Sequence, residues 1–287
     1  MSGLSGGTRV GDPVTAPVPP STSTIARLGR LRGLTREFGP VYALLTGALV
    51  AARWLPQRID DALLEIEGRR GVLGPAHRRW NEHSVSANRR VWSTWDWSAA
   101  GEEWTASEQW KASLIEELLV PAVKGSTTIL EIGPGAGRFS ETLHDLAGRL
   151  ILVDITDTTL ELCRERLGDP SDVTYVLSDG ASLRGVDTGS VDAVWSFDAF
   201  VHVAPIDVDQ YLGEIRRVLA PDGVAVIHHA GRRERRGWRS PMTASLFAAL
   251  AAEQGLTVER QIDSWGGNGR YGVSLHGDVI SEMRRAP

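Results

Sequence analysis

The segment from residue 127 to residue 167, TTILEIGPGAGRFSETLHDLAGRLILVDITDTTLELCRERL, constrains the fold more than any other part of the chain. It reads as an apolar strand, a glycine-rich turn, a helix, a second apolar strand and a second helix. Strands that alternate with helices in this way form a parallel sheet with helices on both faces. The sequence therefore predicts an α/β fold of the Rossmann-like, doubly wound type.

The glycine-rich turn, EIGPGAG, has the composition of a ligand-binding loop. Gly133, Gly135 and Gly137 permit a tight turn from strand to helix, and they let a ligand approach the main chain without an intervening side chain. Asp154 lies 21 residues after Gly133, at the end of the second predicted strand, where a carboxylate can bind both hydroxyls of a ribose. A dinucleotide fingerprint would need glycine or alanine where Arg138 stands, so an NAD site is disfavoured.

The chain resembles the class I S-adenosylmethionine-dependent methyltransferases, whose first motif places an acidic residue two positions before Gly-x-Gly-x-Gly. Here that motif runs from Glu131 to Gly137. The resemblance continues in order through LILVDIT, VTYVLSDGAS, VDAVWSFDAFVHV and YLGEIRRVLAPDGVAVIHH, and covers roughly residues 120–280. It implies a seven-stranded sheet with an antiparallel last strand, preceded by an N-terminal helical lid or appendage. Within the class, the chain looks most like small-molecule O-methyltransferases for sugars and natural products.

The resemblance also implies which residues bind S-adenosylmethionine. The three glycines form the turn beneath the methionine part of the cofactor. The other side chains expected at the cofactor are, in chain order, Trp104, Thr105, Glu131, Asp154, Asp179 and Ala181. Asp154 is then the ribose ligand, Asp179 the partner of the adenine amino group, and Ala181 a flank of the adenine ring. A solvated loop carboxylate with no ligand is the alternative for Asp154 and Asp179.

Catalytic side chains are expected beyond the carboxyl ends of strands four and five, where open parallel sheets bind their ligands. His202 follows the fourth predicted strand, and His228 and His229 end the fifth. A hydroxyl is a poor nucleophile unless a base takes its proton or a metal lowers its pKa, and histidine suits the first task near neutral pH. His202 is the first choice of general base and His229 the second, with a structural histidine as the alternative for both. Consecutive residues of a strand face opposite ways, so only one of His228 and His229 can face the site.

Asp198, four residues before His202, could orient the imidazole or bind a divalent cation. Mg²⁺ is therefore a conceivable second cofactor, with Asp198, Asp222 and Asp263 as oxygen ligands, although their spacing is not diagnostic. Asp222 otherwise forms the turn before strand five.

Four of the ten tryptophans fall within residues 92–104, WSTWDWSAAGEEW, interleaved with polar residues. Their spacing fits neither a helical stripe nor a strand alternation. In similar enzymes the segment before the sheet folds over the cofactor and builds the acceptor pocket, so we expect these rings to line a lid over a hydroxylated acceptor. The acceptor hydroxyls would then contact His83, Asp96, Glu102 and Glu103. In the alternative, the rings attach the helical appendage to the domain.

Three regions are expected along the chain. Residues 1–22 are rich in Gly, Ser, Thr and Pro and predict a disordered tail. Residues 23–118 predict a helical N-terminal appendage and lid, and residues 119–287 the S-adenosylmethionine-binding methyltransferase domain. The apolar run 41–55 is shorter than the roughly 20 residues that cross a bilayer. A helix buried against the domain, or in a homo-oligomer contact, is favoured over a helix on a membrane surface.

The composition of the chain excludes some classes of binding partner. A net charge of -5 argues against nucleic acid, because phosphate binding requires clustered positive charge. The single cysteine, Cys163, excludes a disulfide framework, and the N-terminus has no signal-peptide pattern, so a cytoplasmic protein without a transmembrane segment is expected.

The predicted function is an S-adenosylmethionine-dependent O-methyltransferase for a small-molecule hydroxyl, first choice a sugar or oligosaccharide. A polyketide or phenolic acceptor, or a non-catalytic cofactor-binding partner subunit, is the alternative.

Overall fold

The computed structural model describes residues 40–79, 82–232, 238–273 and 277–287. The chain divides into two compact units, Met1–Ile59 and Asp60–Pro287. The predicted disordered tail, residues 1–22, lies outside the described residues. Residues 60–118, which the sequence assigns to an N-terminal appendage, belong to the same unit as the sheet.

Three helices precede the tryptophan-rich segment. Helix α1 (Pro40–Arg69) is continuous through Pro56. The sequence pattern predicts one helix over the apolar run 41–55 and another over residues 57–70, so the predicted break at Pro56 is wrong. Helices α2 (Pro75–Arg79) and α3 (Val85–Trp92) follow. None of the described helices combines the length and the apolar character that crossing a bilayer requires. The role of the apolar run 41–55 stays a prediction.

A helical segment leads from the tryptophan-rich region into the sheet. It consists of α4 (Glu108–Leu114), a π-helical turn (Ile115–Leu119) and α5 (Val120–Val123). Its N-cap is Ser107, whose Oγ accepts a hydrogen bond of 3.1 Å from the Trp110 N–H. The spacing of Thr105 and Glu108 in the sequence predicts a capping box that begins this helix at Thr105, and that prediction is wrong. Leu114 and Leu119 are fully buried, which fixes this segment against the core of the larger unit.

The main sheet has seven strands, which are β1 (Thr128–Ile132), β2 (Arg149–Asp154), β3 (Val173–Leu177), β4 (Val191–Ser196), β5 (Leu219–Ala230), β6 (Leu256–Ile262) and β9 (Asp278–Arg285). Their order across the sheet is β3-β2-β1-β4-β5-β9-β6. Strands β1 to β5 are parallel, and β9 is antiparallel to both β5 and β6. The predicted fold class, with its antiparallel last strand, is confirmed. Strands β7 (Ser264–Trp265) and β8 (Tyr271–Gly272) form a separate two-stranded sheet.

Helices connect the strands and cover both faces of the sheet. They are α6 (Ser140–Leu146), α7 (Asp157–Leu167), α8 (Pro205–Val218) and α9 (Ala244–Glu253). Alternate strand residues enter two separate apolar layers, as the two-residue period of a strand requires. Ala225 and Ile227 of β5 belong to one layer, and Val224 and Val226 to the other. This alternation decides which way His228 and His229 face.

Candidate active site

The turn after β1 has a backbone that only glycine adopts without strain. Gly133, Gly135 and Gly137 have φ values of 71°, 58° and 82°. A Cβ on Gly133 would lie 2.4 Å from the Cβ of Ala199, and a Cβ on Gly135 would lie 3.1 Å from the Trp97 ring. The turn is thus packed from two sides at positions where a side chain has no room.

Glu131 lies on β1 directly before this turn and is almost completely buried. Its Oε2 accepts a hydrogen bond from the Ser140 hydroxyl at the start of α6. Burial raises the pKa of Glu131 to about 7. The carboxyl group therefore links the strand that enters the turn to the helix that leaves it.

Asp154 ends β2 beside the turn. The Gly133 N–H donates to the carbonyl of Val153 at 2.8 Å, which holds the turn against the residue before Asp154. Oδ1 of Asp154 accepts hydrogen bonds from the Thr156 N–H at 3.0 Å and the Thr156 hydroxyl at 3.3 Å. Burial raises the pKa of Asp154 to about 6. A buried carboxylate is thus placed at the strand tip where the resemblance implies a ribose ligand.

Asp179, after β3, is more exposed, and its own loop engages its carboxylate. Oδ1 accepts from the N–H groups of Ala181 at 3.1 Å and Ser182 at 2.8 Å, and Oδ2 accepts from the Ser182 hydroxyl at 2.9 Å. Although partial burial opposes it, these hydrogen bonds hold the pKa of Asp179 below its ordinary value. In the structure, Asp179 and Ala181 shape the loop at the carboxyl end of β3.

Helix α3 lies across the carboxyl ends of β2 and β3. A Cβ on Gly180 would lie 2.3 Å from Val85, so this helix packs directly on the loop after β3. The Arg89 guanidinium donates to the carbonyls of Ile155 at 3.0 Å and Ser178 at 3.4 Å. Residues before the sheet therefore form a wall beside Asp154, as a lid would. Sequence reasoning missed the contacts of Val85 and Arg89, whose partners are distant in the chain.

The tryptophan-rich segment forms an aromatic cluster with a residue from far along the chain. The tryptophan cluster consists of Trp92, Trp95, Trp97, Trp104 and Trp238. Neighbouring ring centroids within it lie 5.5 to 6.1 Å apart. Trp104 and Trp238 are exposed to 38% and 56%, so the cluster reaches the surface. The predicted cofactor contact Thr105 donates its hydroxyl to Glu102 at 2.8 Å.

A cavity of about 230 Å³ opens beside this cluster. It is lined by Glu82, His83, Ala87, Asn88, Val91, Trp92, His202 and Trp238. The Trp92 and His202 ring centroids are 5.1 Å apart. Aromatic faces and polar groups therefore line one space, and His202 is part of its wall.

His202 is held in one tautomer by a main-chain carbonyl. Its Nδ1 donates to the carbonyl of Trp238, which also accepts from Nε2 of His83 at 3.1 Å. A carbonyl only accepts, so Nδ1 carries the proton, and Nε2 has no hydrogen-bond partner among the described residues. Burial lowers the pKa of His202 to about 4. The ring is neutral at physiological pH, with Nε2 available as an acceptor.

Asp198 does not orient His202, because its carboxylate is paired elsewhere. It forms an ion pair with Arg138, and its Oδ1 lies 3.1 Å from Nδ1 of His228. Although burial opposes it, His228 and Arg138 hold the pKa of Asp198 below its ordinary value. The other side of His228 faces Asp278, whose Oδ2 is 3.6 Å from Nε2 and 2.9 Å from Nε of Arg239. Basic and acidic side chains therefore alternate in a row of five that extends from the glycine turn to the segment that holds His202. In order, they are Arg138, Asp198, His228, Asp278 and Arg239.

His229, the second choice of base, lies on the opposite face of β5 and is completely buried. Its Nδ1 donates to the carbonyl of Ala230 at 2.9 Å, and its Nε2 accepts from the Ser281 hydroxyl at 2.7 Å. Its ring stacks on the Phe247 ring, with 3.7 Å between the two ring centroids. Both nitrogens are engaged within the core, so this position gives His229 a structural role. Of the consecutive pair, His228 is the one on the Asp198 side.

The described residues contain no group of three or more His, Cys, Asp or Glu side chains that could hold a metal ion. Asp198 is neutralised by the ion pair with Arg138, and it does not converge with Asp222 or Asp263. The Mg²⁺ expectation therefore finds no support in this part of the chain.

The residues at the carboxyl ends of β1 and β2 fit S-adenosylmethionine. Gly133 and Gly135 of the turn are partly exposed, and the buried carboxylate of Asp154 ends the neighbouring strand β2. The Glu131 carboxyl holds the two ends of the turn together through its hydrogen bond with Ser140. The same edge of the sheet carries His202, so a cofactor site and a neutral imidazole occur together.

Comparison with known proteins agrees with this geometry. Residues 130–227 match the family model described as a methyltransferase domain. The match extends from β1 into β5, and it confirms the predicted resemblance to class I S-adenosylmethionine-dependent methyltransferases.

Two curated proteins match part of the chain. Phosphoethanolamine N-methyltransferase 1 from Triticum aestivum is 30% identical over 125 residues, which are 41% of this chain and 25% of that protein. Nodulation protein S from Rhizobium tropici is 26% identical over 132 residues, 46% of this chain and 55% of that protein. The chain therefore spans about a quarter and about half of these relatives' lengths.

A solved structure shows the same fold. The N-methyltransferase NodS from Bradyrhizobium japonicum WM9, in complex with S-adenosyl-L-homocysteine, superposes with a TM-score of 0.53 at 18% identity. The superposition covers 65% of this chain and 93% of that one.

Proposed function

We propose that the protein transfers a methyl group from S-adenosylmethionine to a hydroxyl group of a small molecule, with a sugar or oligosaccharide as the first choice of acceptor. The observation that carries this proposal is the His202 imidazole in the cavity wall. Its Nδ1–H is fixed by the Trp238 carbonyl, and its Nε2 has no partner among the described residues. An acceptor hydroxyl in the cavity can donate to that nitrogen.

The chain's own groups divide the work of such a transfer. When bound, S-adenosylmethionine supplies an electrophilic methyl carbon on a positively charged sulfur. The glycine turn and Asp154 would hold the cofactor, and Glu131 keeps the turn in place. As the acceptor oxygen bonds to the methyl carbon, the carbon–sulfur bond breaks with its electron pair on sulfur, and the hydroxyl proton moves to Nε2 of His202. An oxygen that gains a methyl group becomes strongly acidic, so a weakly basic neutral imidazole suffices to take this proton.

The cavity supports a sugar acceptor through its size and lining. At about 230 Å³ it lies below the roughly 300 Å³ at which pockets for drug-sized ligands begin, so it suits one ring. The Trp92 and Trp238 rings can cover the apolar face of a sugar, while Glu82 and Asn88 can bond its hydroxyls. The exposed Trp104 offers a surface for a second ring of an oligosaccharide.

Methyl transfer to nitrogen is the second candidate. The Triticum aestivum relative is named as an N-methyltransferase, and Glu82 in the cavity wall could bind an amine. The two candidates differ in pH dependence, because an amine attacks only after losing its proton. With an amine acceptor, kcat/KM rises with pH toward the amine pKa, whereas a hydroxyl acceptor leaves His202 neutral and the rate level above about pH 5.

An acceptor panel tests the proposal. The purified protein is incubated with S-adenosylmethionine carrying a ¹³C-labelled methyl group and with sugars, phenols, polyketides and amines, with and without a chelator of Mg²⁺. NMR of the product then locates the methyl group. A label on a sugar oxygen is expected, and a label on a phenol or on nitrogen would replace the sugar proposal. S-adenosylhomocysteine binding without transfer to any acceptor would favour a non-catalytic partner subunit.

Two further expectations belong to this proposal. One is the cytoplasmic location that the composition predicts. The other is a homo-oligomer formed through the N-terminal helices, which sedimentation of the full chain and of a variant lacking residues 1–59 would test.

A further inference from the structure

Asp278, the first residue of β9, is a buried carboxylate with incomplete pairing. Its side chain is 2% exposed, and its Oδ2 accepts a hydrogen bond of 2.9 Å from Nε of Arg239. Its Oδ1 is buried and has no hydrogen-bond partner among the described residues. Burying a carboxylate with one oxygen unpaired destabilises a fold, so this residue calls for a role beyond stability.

The role follows from what Arg239 is attached to. Arg239 lies between Trp238 and Ser240, two residues that contact the 3₁₀ turn Phe200–His202. On one side, the Trp238 carbonyl fixes the tautomer of His202. On the other side, the Ser240 N–H donates at 2.8 Å to the carbonyl of Val201, the neighbour of His202. The ion pair between Arg239 and Asp278 therefore holds in place the two main-chain groups, at Trp238 and Ser240, that contact His202 and its neighbour.

We propose that Asp278 is a positioning residue for His202 and acts through Arg239 and the Trp238 carbonyl. This inference rests on the proposed function of His202 as the base. Asp278 does not contact the cavity, and it orients the imidazole from the far side of the segment. With the ion pair intact, Nδ1 of His202 is bonded to the Trp238 carbonyl and the ring lines the cavity. Without it, the Trp238 carbonyl can move, and the imidazole can rotate or exchange its tautomer.

The same carboxylate also faces the other end of the charged chain. His228 lies 3.6 Å from Asp278 and contacts Asp198, which is paired with Arg138 beside the glycine turn. Loss of the negative charge at Asp278 would therefore remove the counter-charge of Arg239 and one of the two carboxylates that flank His228. This row of charged groups therefore extends from the glycine turn at one end to the segment that holds His202 at the other.

The test uses two variants and a matched control. Asp278→Asn removes the charge but keeps the shape, and Arg239→Gln removes the partner from a more exposed position. The control is Glu282→Gln, which makes the same kind of change on the same strand, in the ion pair with Arg260. The measurements are ring ¹⁵N NMR spectra of histidine-labelled protein, assigned by comparison with His202→Ala, together with kcat, KM and thermal stability.

In the wild-type protein and in Glu282→Gln, the His202 signals should show a protonated Nδ1 and an unprotonated Nε2. In Asp278→Asn and Arg239→Gln these signals should shift toward tautomer exchange, and kcat should fall by about 10-fold to 100-fold, since misplacing a catalytic group by about 1 Å has such effects. KM for S-adenosylmethionine should stay near the wild-type value. The double variant should lose no more than the stronger single variant, because the pair acts as a unit.

Unchanged His202 signals and kcat in both variants, with only a lower melting temperature, would overturn the positioning role. If Asp278→Asn does not fold, Arg239→Gln alone decides, because its side chain is partly exposed. The NMR readout separates this inference from the proposed function. A shifted tautomer without loss of turnover would show that Asp278 positions His202 but that His202 is not the base.

Discussion

The substitution Gly133→Ala tests how tightly the cofactor turn is joined to the segment that carries His202. An alanine Cβ at this position would lie 2.4 Å from the Cβ of Ala199, whereas non-bonded carbons prefer a separation of about 3.5 to 4.0 Å. Ala199 directly precedes the 3₁₀ turn Phe200–His202. Relieving the clash therefore requires moving either the glycine turn or the segment leading to His202.

The expected loss of stability has two parts. Gly133 has a φ of 71°, and a left-handed conformation destabilises a residue with a Cβ by about 1 to 2 kcal/mol. Overpacking against partly buried Ala199 adds about 1 to 3 kcal/mol. Gly189 isolates the first part, because its φ is 68° and an added Cβ would meet no heavy atom within 4 Å. We expect about 2 to 5 kcal/mol for Gly133→Ala and about 1 to 2 kcal/mol for Gly189→Ala.

Urea unfolding and calorimetric titration with S-adenosylhomocysteine measure both effects. Gly133→Ala should be less stable than Gly189→Ala and should bind the ligand about tenfold or more weakly, which corresponds to about 1.4 kcal/mol. Gly189→Ala should bind as the wild type does. Equal stability and equal affinity in the two variants would refute the close packing of the turn on Ala199.

Three further predictions concern pH and the N-terminus. The affinity for S-adenosylhomocysteine should fall as the pH is lowered through about 6, because burial raises the pKa of Asp154 to about 6 and only its carboxylate form accepts two ribose hydrogen bonds. Titration calorimetry of Asp154→Asn should show weak binding without that pH dependence, and a retained dependence would assign it to another group. Between about pH 6.5 and pH 4, lowering the pH should reduce the stability of the wild type relative to His229→Ala, because burial lowers the pKa of His229 to about 3 and the ring stays neutral in the fold while it is protonated in the unfolded chain. The raised pKa values of Glu131 and Asp154 act in the opposite direction in both proteins and cancel in this difference, so a difference in urea midpoint that does not change with pH would contradict the burial of His229. Deleting residues 1–22, which the sequence predicts to be a disordered tail, should leave methyl transfer unchanged, and a large loss of turnover would reveal a role for these residues.

Local patterns were sufficient to predict the sheet and the glycine-rich turn after β1. Strand, turn and helix alternate visibly between residues 127 and 167, and glycines with positive φ stand where the chain turns. The position of Asp154 follows from the strand it ends. These features depend on neighbours in sequence, so one chain is enough to infer them.

The surroundings of His202 and Asp198 were harder to predict because their contacts join distant residues. His202 is oriented by a carbonyl 36 residues later, not by Asp198 as its spacing suggests. Asp198 is paired with Arg138, 60 residues earlier, and no local pattern indicates that pair.

The choice between His228 and His229 shows a different limit. The two-residue period of a strand requires them to face opposite ways, but β5 is apolar on both faces, as interior strands of such sheets are. The period therefore could not show which histidine faces the site. The structure places His228 beside Asp198 and His229 against Phe247.

The most direct test of methyl transfer with His202 as the base is the single-turnover rate of His202→Ala, measured with S-adenosylmethionine and the acceptor that the panel identifies. His229→Ala is the matched control, since it removes a buried histidine from the other face of the sheet. We predict that His202→Ala lowers the rate by about 10²-fold to 10⁴-fold, with unchanged affinity for S-adenosylhomocysteine, whereas His229→Ala lowers the melting temperature more than the rate. A near-normal rate in folded His202→Ala would contradict the account.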